Sequence, residues 1–372
     1  MKIEQVKEIA NAVLYEGYLL YPYRRSALKN RQRWTFGVVY PQEYSEAQGS
    51  SEPWTMQTEC LVTGQGMTVL DVRVRFLHLL VRTVMQSAGR GDKDNSVPTQ
   101  VQTGAEYSSE WSLASQFADE PWEEGMEREV SALNLSLTDL VANPMRVEIE
   151  FPAGCMVERG ELGEEIVREQ RPLKGAVIIT AEPVGEDLYK LSIYIENRTT
   201  GTSEGTSQSN TRALNRPPML HSFVSTHTIL QVRQGAFISL LEPPETLKTL
   251  VEGCQNLRTW PVLVGEEGAY DTILSSPIIL YDYPQIAPES PGSLFDGAEI
   301  DEILTLRILT LTDEEKQEMR QGDERAREIL ERTEAITPEQ FMKLHGVIRS
   351  LRPVEEEGVE SVSARESSEK PT

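Results

Sequence analysis

Apolar residues recur at helical spacing near the start of the chain and again toward its end. Within residues 4–14 they stand three or four positions apart, at Val6, Ile9, Ala10 and Val13. Beyond residue 296 the spacing is helical again, and Thr312 with Glu315 matches a capping box, a reciprocal pair of side-chain to backbone hydrogen bonds at a helix start. The pattern therefore predicts one helix at the beginning and a helical region over residues 296–352.

The chain between these helices shows short apolar or alternating runs bounded by Gly, Pro and Asn, which is typical of strands. Residues 55–63 and 67–81 predict a hairpin that turns at residues 64–66. The second arm alternates, which predicts one dry and one wet face. A second hairpin is predicted from residues 176–183 and 188–196.

These elements predict an α+β fold that is β-rich: mainly an antiparallel sheet or sandwich, with a helical C-terminal region and a disordered acidic tail. The order of elements leaves open whether the chain forms one domain or two. The predicted regions are a β-rich domain at 1–198 with a mobile acidic insertion at 86–131, a linker at 199–215, a mixed α/β segment at 216–295, the helical region at 296–352 and the tail at 353–372.

The charge balance narrows the classes of partner. The 372 residues include 59 acidic and 36 basic side chains, a formal net charge of −23. Nucleic acid is therefore not expected as a partner, since phosphate neutralisation needs a positive surface. A protein partner with basic patches is favoured. No apolar run is long enough to span a bilayer, acids interrupt the first apolar stretch, and the three cysteines lie far apart, so we expect a cytoplasmic protein with reduced thiols.

A basic and aromatic block stands out in this acidic chain at residues 15–36. Arginine offers planar, bidentate donors and also stacks on aromatic rings, so such a block can hold a carboxylate, a phosphate or an acidic segment. Two readings are open: the block neutralises the chain's own acids, or it binds an external anionic partner. On the second reading the partner-binding residues are Arg24, Arg25, Lys29, Arg31, Arg33, Tyr21, Tyr23 and Trp34.

Histidine and cysteine supply an alternative chemistry. His221 and His227 are six residues apart, so on one uninterrupted strand they would share a face, and Cys254 follows 27 residues later. Together they could form a metal-binding module or, with Cys254 as nucleophile, a thiol enzyme. No paired ligand motif and no phosphate-binding loop accompanies them, so neither a cofactor nor a resident metal is expected. His78 lies inside an apolar run and is expected to be a hydrogen-bonded core residue or a strand-edge group.

Several strings resemble an uncharacterised bacterial family encoded beside uptake nickel–iron hydrogenases. They are AVLYEGYLLYPYRRSALKNR at 12–31, WTFG at 34–37, STHTIL at 225–230, FISLLEPPE at 237–245, CQN at 254–256, TWPVL at 259–263, PQIAPES at 284–290 and LFDGAEI at 294–300. The resemblance implies an accessory role in assembling, maturing or supporting the hydrogenase. It implies no catalytic residues.

The sequence thus favours a non-enzymatic accessory or scaffold protein that supports assembly or maturation of a nickel–iron hydrogenase by protein–protein binding. The expected partner is a hydrogenase subunit or another accessory protein. The alternative is the metal-binding module or thiol enzyme that uses His221, His227 and Cys254.

Overall fold

A computed structural model describes residues 3–15, 36–49, 51–85, 122–159, 165–200, 219–285, 301–320 and 324–337. The helices are α1 (Ile3–Tyr15), α2 (Gln42–Ala47), α3 (Leu137–Ala142), α4 (Lys248–Glu252), α5 (Asp301–Leu309), α6 (Asp313–Arg320) and α7 (Glu324–Glu334). The strands are β1 (Thr55–Met85), β2 (Trp122–Ser136), β3 (Met145–Phe151), β4 (Gly154–Arg159), β5 (Glu165–Gln170), β6 (Leu173–Gly185), β7 (Leu188–Asn197), β8 (Val224–Phe237), β9 (Trp260–Leu263) and β10 (Thr272–Ser276).

Strand β1 organises the sheet because its parts pair with different strands. Its first nine residues pair with β7, its middle lies between β2 and β8, and its end pairs with β2 and β5. The predicted hairpin at 55–81 is therefore wrong: the chain runs on as one strand. The Gln65 N–H donates to Thr68 Oγ1 at 2.8 Å, and Thr68 Oγ1 donates to the Gln234 carbonyl at 2.6 Å. These bonds hold residues 64–68 as a bulge, because they satisfy the polar groups without reversing the strand.

Strand β2 begins within the predicted acidic insertion and continues past its end. Residues 122–131 are not a loop but part of an antiparallel pairing with β1. The acids fit there because Glu127 and Glu129 meet the guanidinium groups of Arg73 and Arg75 across the strands. Residues 86–121 of the predicted insertion lie outside the described residues.

All pairings in the ten-stranded sheet are antiparallel, and its main path runs β3-β6-β7-β1-β8-β10-β9. The predicted hairpin of β6 and β7 is confirmed, and Asp187 at its turn has φ 52°. Strands β7 and β8 stand on either side of the predicted linker, and both pair with β1. The linker therefore separates two neighbours of one strand rather than two sheets.

The main core lies on one side of the sheet, which we call the inner face. On β1 it takes alternate residues from Met56 to Phe76, and it continues through β3, β6, β7 and β8. Helix α3 joins β2 to β3 and closes this core with Leu137 and Leu140, both buried. The wet face predicted for β1 lies on the opposite side, yet Asp71 and Arg75 are buried there.

Helices cover the outer face. Helix α1 packs Val6, Ala10 and Val13 against buried residues of β8, β9 and β10, while α5, α6 and α7 pack around Leu77 and Leu79 of β1. The predicted capping box is confirmed: the Glu315 N–H donates to Thr312 Oγ1 at 3.2 Å, and the Thr312 N–H donates to Glu315 Oε2 at 2.9 Å. The β-rich α+β fold with helical C-terminal elements is thus confirmed, while residues 353–372 lie outside the described residues.

Candidate functional site

The basic block is bordered by residues that meet at Ser225. The Ser225 hydroxyl donates to the Val13 carbonyl at 3.1 Å, and its N–H donates to the Phe36 carbonyl at 3.0 Å. Ser225 has φ 54°, which is uncommon for a residue other than glycine. The described chain on both sides of the block is therefore anchored at one buried residue. The predicted partner-binding residues themselves, at 21–34, lie outside the described residues.

His221 and His227 do not share a strand. His221 ends a 3-10 turn, Met219–His221, and its Nδ1 is 3.4 Å from the Pro172 carbonyl. His227 lies in β8, fully buried, and its Nδ1–H donates to the Ser225 carbonyl at 3.0 Å. Burial lowers the pKa of His227 to about 4, and the neighbouring Arg75 adds to this effect. His227 is therefore a neutral imidazole at physiological pH.

Cys254 lies in a third environment, just after α4. Burial raises the pKa of its thiol to about 11, and the nearby Glu59 carboxylate raises it further, against the opposing effect of Lys190. A nucleophilic thiol needs a lowered pKa and an adjacent base. The environment of Cys254 raises the pKa instead and so disfavours the reactive thiolate. The structure thus does not bring His221, His227 and Cys254 together. Among the described residues, no group of three or more His, Cys, Asp or Glu side chains is placed to hold a metal ion.

Glu59 instead fastens the chain around Cys254 to the sheet. One of its carboxylate oxygens accepts the Gln255 N–H at 2.7 Å, and the other accepts the Ser192 hydroxyl at 3.1 Å. Its backbone also exchanges two hydrogen bonds with the Asn256 side chain, at 2.8 and 3.1 Å. This network gives the segment between α4 and β9 a fixed position beside β1.

Six large apolar side chains are exposed within residues 241–281, the part of the chain that contains β9, the strand at the end of the sheet's main path. We call this set the edge surface; it comprises Leu241, Leu257, Trp260, Tyr270, Ile279 and Tyr281. The exposed fraction is 43% for Trp260, 71% for Ile279 and 85% for Tyr281. Buried apolar side chains are the rule for residues of this size, so a set exposed in one region is typical of a binding surface.

Hydrogen bonds attach the backbone of part of the edge surface to β9. Residues 278–283 run beside β9: the Tyr283 N–H donates to the Leu263 carbonyl at 2.7 Å, and the Leu263 N–H donates to Asp282 Oδ1 at 2.8 Å. Ile278 and Leu280 point toward the helix-covered outer face and pack on the buried cluster beneath α1. Ile279 and Tyr281 alternate with them and are exposed, so their side chains point into solvent.

The exposed charges of the same stretch are mostly acidic. Between residues 241 and 281 they are Glu242, Glu245, Glu252, Glu266 and Glu267, with Lys248 and Arg258 as the exposed cations. Of these, Glu245 pairs with Lys248 at 2.6 Å. An apolar centre with a charged rim is the usual anatomy of a protein interface, and here the rim is negative.

No protein-family profile matches this chain, and no curated protein is significantly similar to it. Within the described part of the chain, no helix has the length and apolar character that crossing a bilayer requires.

Sequence reasoning missed the edge surface. Ile279 and Tyr281 have the character of ordinary strand residues, because strands commonly carry aromatic and β-branched side chains. One local signal was present: Ile278 to Tyr281 is a continuous apolar run, and such a run beside a half-buried edge must expose alternate members. That signal becomes readable only when β9 is known to be the last strand of the sheet.

Proposed function

We propose that this protein is a non-enzymatic accessory or scaffold protein that binds another protein through the edge surface. The observation that carries the proposal is the outward orientation of Trp260, Ile279 and Tyr281 on a hydrogen-bonded sheet edge. Aromatic side chains at the centre of an interface supply much of the binding energy, because they bury a large area at low entropic cost.

The charges around the edge surface define the complementary partner. Burial of Trp260 and Tyr281 requires an apolar groove or face, and the glutamate rim favours Lys and Arg around it. A net charge of −23 steers basic partners toward the protein over a longer range, an effect that weakens as salt increases. The partner surface is therefore apolar at its centre and basic at its rim.

The resemblance to the hydrogenase-associated family supplies the candidate partner. We propose a cytoplasmic role in which the partner is a subunit of a nickel–iron hydrogenase, or a further accessory protein that assembles or matures it. The basic block with Arg24, Arg25, Arg31 and Arg33 remains a predicted second contact, which would hold an acidic part of the same partner.

Co-purification tests this proposal. The full-length protein carries an affinity tag and is co-expressed with the large and small subunits of the hydrogenase. We expect the wild-type protein to retain a hydrogenase subunit, and Trp260→Ala with Tyr281→Ala to lose it. Truncation of an interface hot spot costs about 2 kcal/mol or more, roughly thirtyfold in Kd.

A matched control is available at the bulge within β1. Met67 is 74% exposed at the bulge and belongs to no apolar group around β9, so Met67→Ala should retain the subunit as the wild type does. Failure of the wild type to retain any hydrogenase subunit would overturn the choice of partner. Equal retention by the double variant would remove the edge surface from the mechanism, and equal retention after Arg24, Arg25, Arg31 and Arg33 are changed to Glu would remove the basic block.

A further inference from the structure

Four basic residues lie near one another, one each from β1, β2, the bend between β5 and β6, and the 3-10 turn. They are His78, Arg128, Arg171 and His221. His78 Nε2 is 2.9 Å from the Arg171 carbonyl, and His221 Nδ1 is 3.4 Å from the carbonyl of the next residue, Pro172. The two imidazoles are therefore attached to consecutive carbonyl groups of the same bend.

The ring of Phe151 connects two of these groups. The guanidinium carbon of Arg128 lies 4.5 Å from the centroid of the Phe151 ring, and the centroids of His78 and Phe151 are 6.1 Å apart. Cross-strand register places both basic side chains on the inner face, since Arg128 pairs with Phe76 and His78 is two residues further along β1. Arg128 also donates to Gln170 Oε1 at 2.7 Å.

This cluster lacks carboxylates among the described residues, although the chain as a whole is acidic. Neither Arg128 nor Arg171 forms an ion pair within that part of the chain. Arg168, three residues before Arg171, pairs instead with Glu124 and Glu158, each at 2.7 Å. Positive charge without a counter-ion is costly when it is half-buried, so the cluster has capacity for an anion.

Two buried nitrogen atoms in the cluster have no hydrogen-bond partner among the residues that the structure describes. They are Nδ1 of His78, whose side chain is completely buried, and Nε of Arg128. Because a carbonyl only accepts, His78 must carry its proton on Nε2, which leaves Nδ1 as an acceptor. Arg128 Nε–H is a donor. A ligand that satisfies both must therefore accept one hydrogen bond and donate another.

We propose that the cluster of His78, Arg128, Arg171 and His221 binds a phosphate group that retains a proton. Hydrogen phosphate supplies both functions: a charged oxygen accepts from the Arg128 guanidinium, and its hydroxyl donates to His78 Nδ1. Arg171 is exposed and His221 is half-buried, so both lie on the solvent side of the cluster and provide access. A carboxylate or a sulfate dianion has no proton to donate and leaves His78 Nδ1 unsatisfied.

Titration calorimetry on the full-length protein tests the proposal at pH 7 and constant ionic strength. The probes are inorganic phosphate, sulfate, acetate and glycerol phosphate. We expect inorganic phosphate to bind about tenfold or more tightly than sulfate, since one buried hydrogen bond distinguishes them. Glycerol phosphate separates the two sources of the group: binding as tight as that of phosphate indicates a phosphate ester, and weaker binding indicates the free ion.

Variants assign the binding to these residues. Arg171→Gln keeps the backbone carbonyl that His78 uses and should weaken phosphate binding about tenfold or more, as should Arg128→Gln. Arg159→Gln removes another exposed guanidinium, from β4, and should leave binding unchanged. If the Arg128→Gln variant does not fold, the phosphate affinity of Arg171→Gln alone tests whether the cluster binds phosphate. Absence of phosphate binding, equal binding of sulfate, or full binding by Arg171→Gln would overturn the proposal; in the first case the cluster holds only water.

Discussion

Arg75 of β1 and His227 of β8 are direct cross-strand partners, and within the described part of the chain each keeps one buried nitrogen without a hydrogen bond. The other groups are satisfied: Arg75 Nη2 donates to Asn11 Oδ1 at 2.7 Å and to Glu127 Oε2 at 3.1 Å, and His227 Nδ1–H donates to the Ser225 carbonyl. The free atoms are Arg75 Nη1, a donor, and His227 Nε2, an acceptor. A permanent cation beside the imidazole keeps the imidazole neutral.

Acid should therefore destabilise the fold through its buried histidines. Burial lowers the pKa values of both His78 and His227 to about 4, from an ordinary value of 6.5. Above pH 6.5 the two imidazoles are neutral in both the folded and the unfolded protein. Between pH 6.5 and 4 the imidazoles bind protons in the unfolded protein but stay neutral in the folded one. As the pH is lowered through this range, the free energy of unfolding should fall by up to about 1.4 kcal/mol per pH unit for each histidine. Urea unfolding at pH 7, 6 and 5 measures this decrease in the free energy of unfolding.

The variant His227→Gln isolates one of the two contributions. Its free energy of unfolding should depend less steeply on pH between 6.5 and 5 than that of the wild type, whatever its absolute value. Parallel curves for the two proteins would show that His227 is not held neutral in the fold.

Glu59→Gln should make Cys254 more acidic. Burial is the larger cause of the raised pKa of Cys254, and the Glu59 carboxylate is the next, so removing its charge should shift the pH profile of alkylation downward. A Cys155→Ser background removes the other partly exposed thiol, and Cys60 is fully buried. An upward shift or an unchanged midpoint would contradict the assigned role of Glu59.

Gly175 and Gly66 form a matched pair for testing the close packing of the core. A Cβ at Gly175 would overlap the Glu196 carbonyl oxygen and lie 2.8 Å from Phe223 Cζ, while a Cβ at Gly66 would meet nothing within 4 Å. Gly175→Ala should lower the free energy of unfolding by about 1–3 kcal/mol or more, and Gly66→Ala should leave it nearly unchanged. Equal effects in urea unfolding would show that β6 and β7 are not so close.

Local patterns predicted those elements whose stabilising contacts are local. The capping box at Thr312 and Glu315 spans three residues, and the β6–β7 hairpin closes over a short turn at Asp187, so their own sequences determine both. Helix α1 was predicted from the spacing of its apolar residues, because that spacing fixes which face is buried.

Long-range contacts decided what local patterns did not predict. Glycines at 64 and 66 indicate a turn, but Thr68 bonds to Gln234, far along the chain, and β1 continues. The glutamates of β2 indicate a solvated loop, but Arg73 and Arg75 compensate them about fifty residues away.

The candidate sites show the same limit. A shared face for His221 and His227 required one strand, and the 3-10 turn at Met219–His221 removed it. The edge surface depends on β9 being the last strand, a property of the whole sheet rather than of residues 257–281. The phosphate cluster joins residues from 78 to 221, and no single stretch of sequence contains its pattern.

Hydrogen exchange tests the central claim most directly, because it maps the binding surface without any substitution. Backbone exchange is compared for the full-length protein alone and in complex with whichever hydrogenase subunit the proposed co-purification recovers. We predict slower exchange in the complex at residues 257–264 and 276–283, with no change at the bulge of residues 64–68 or the turn of residues 185–188. Unchanged exchange around β9, with protection elsewhere, would show that the edge surface does not bind the partner.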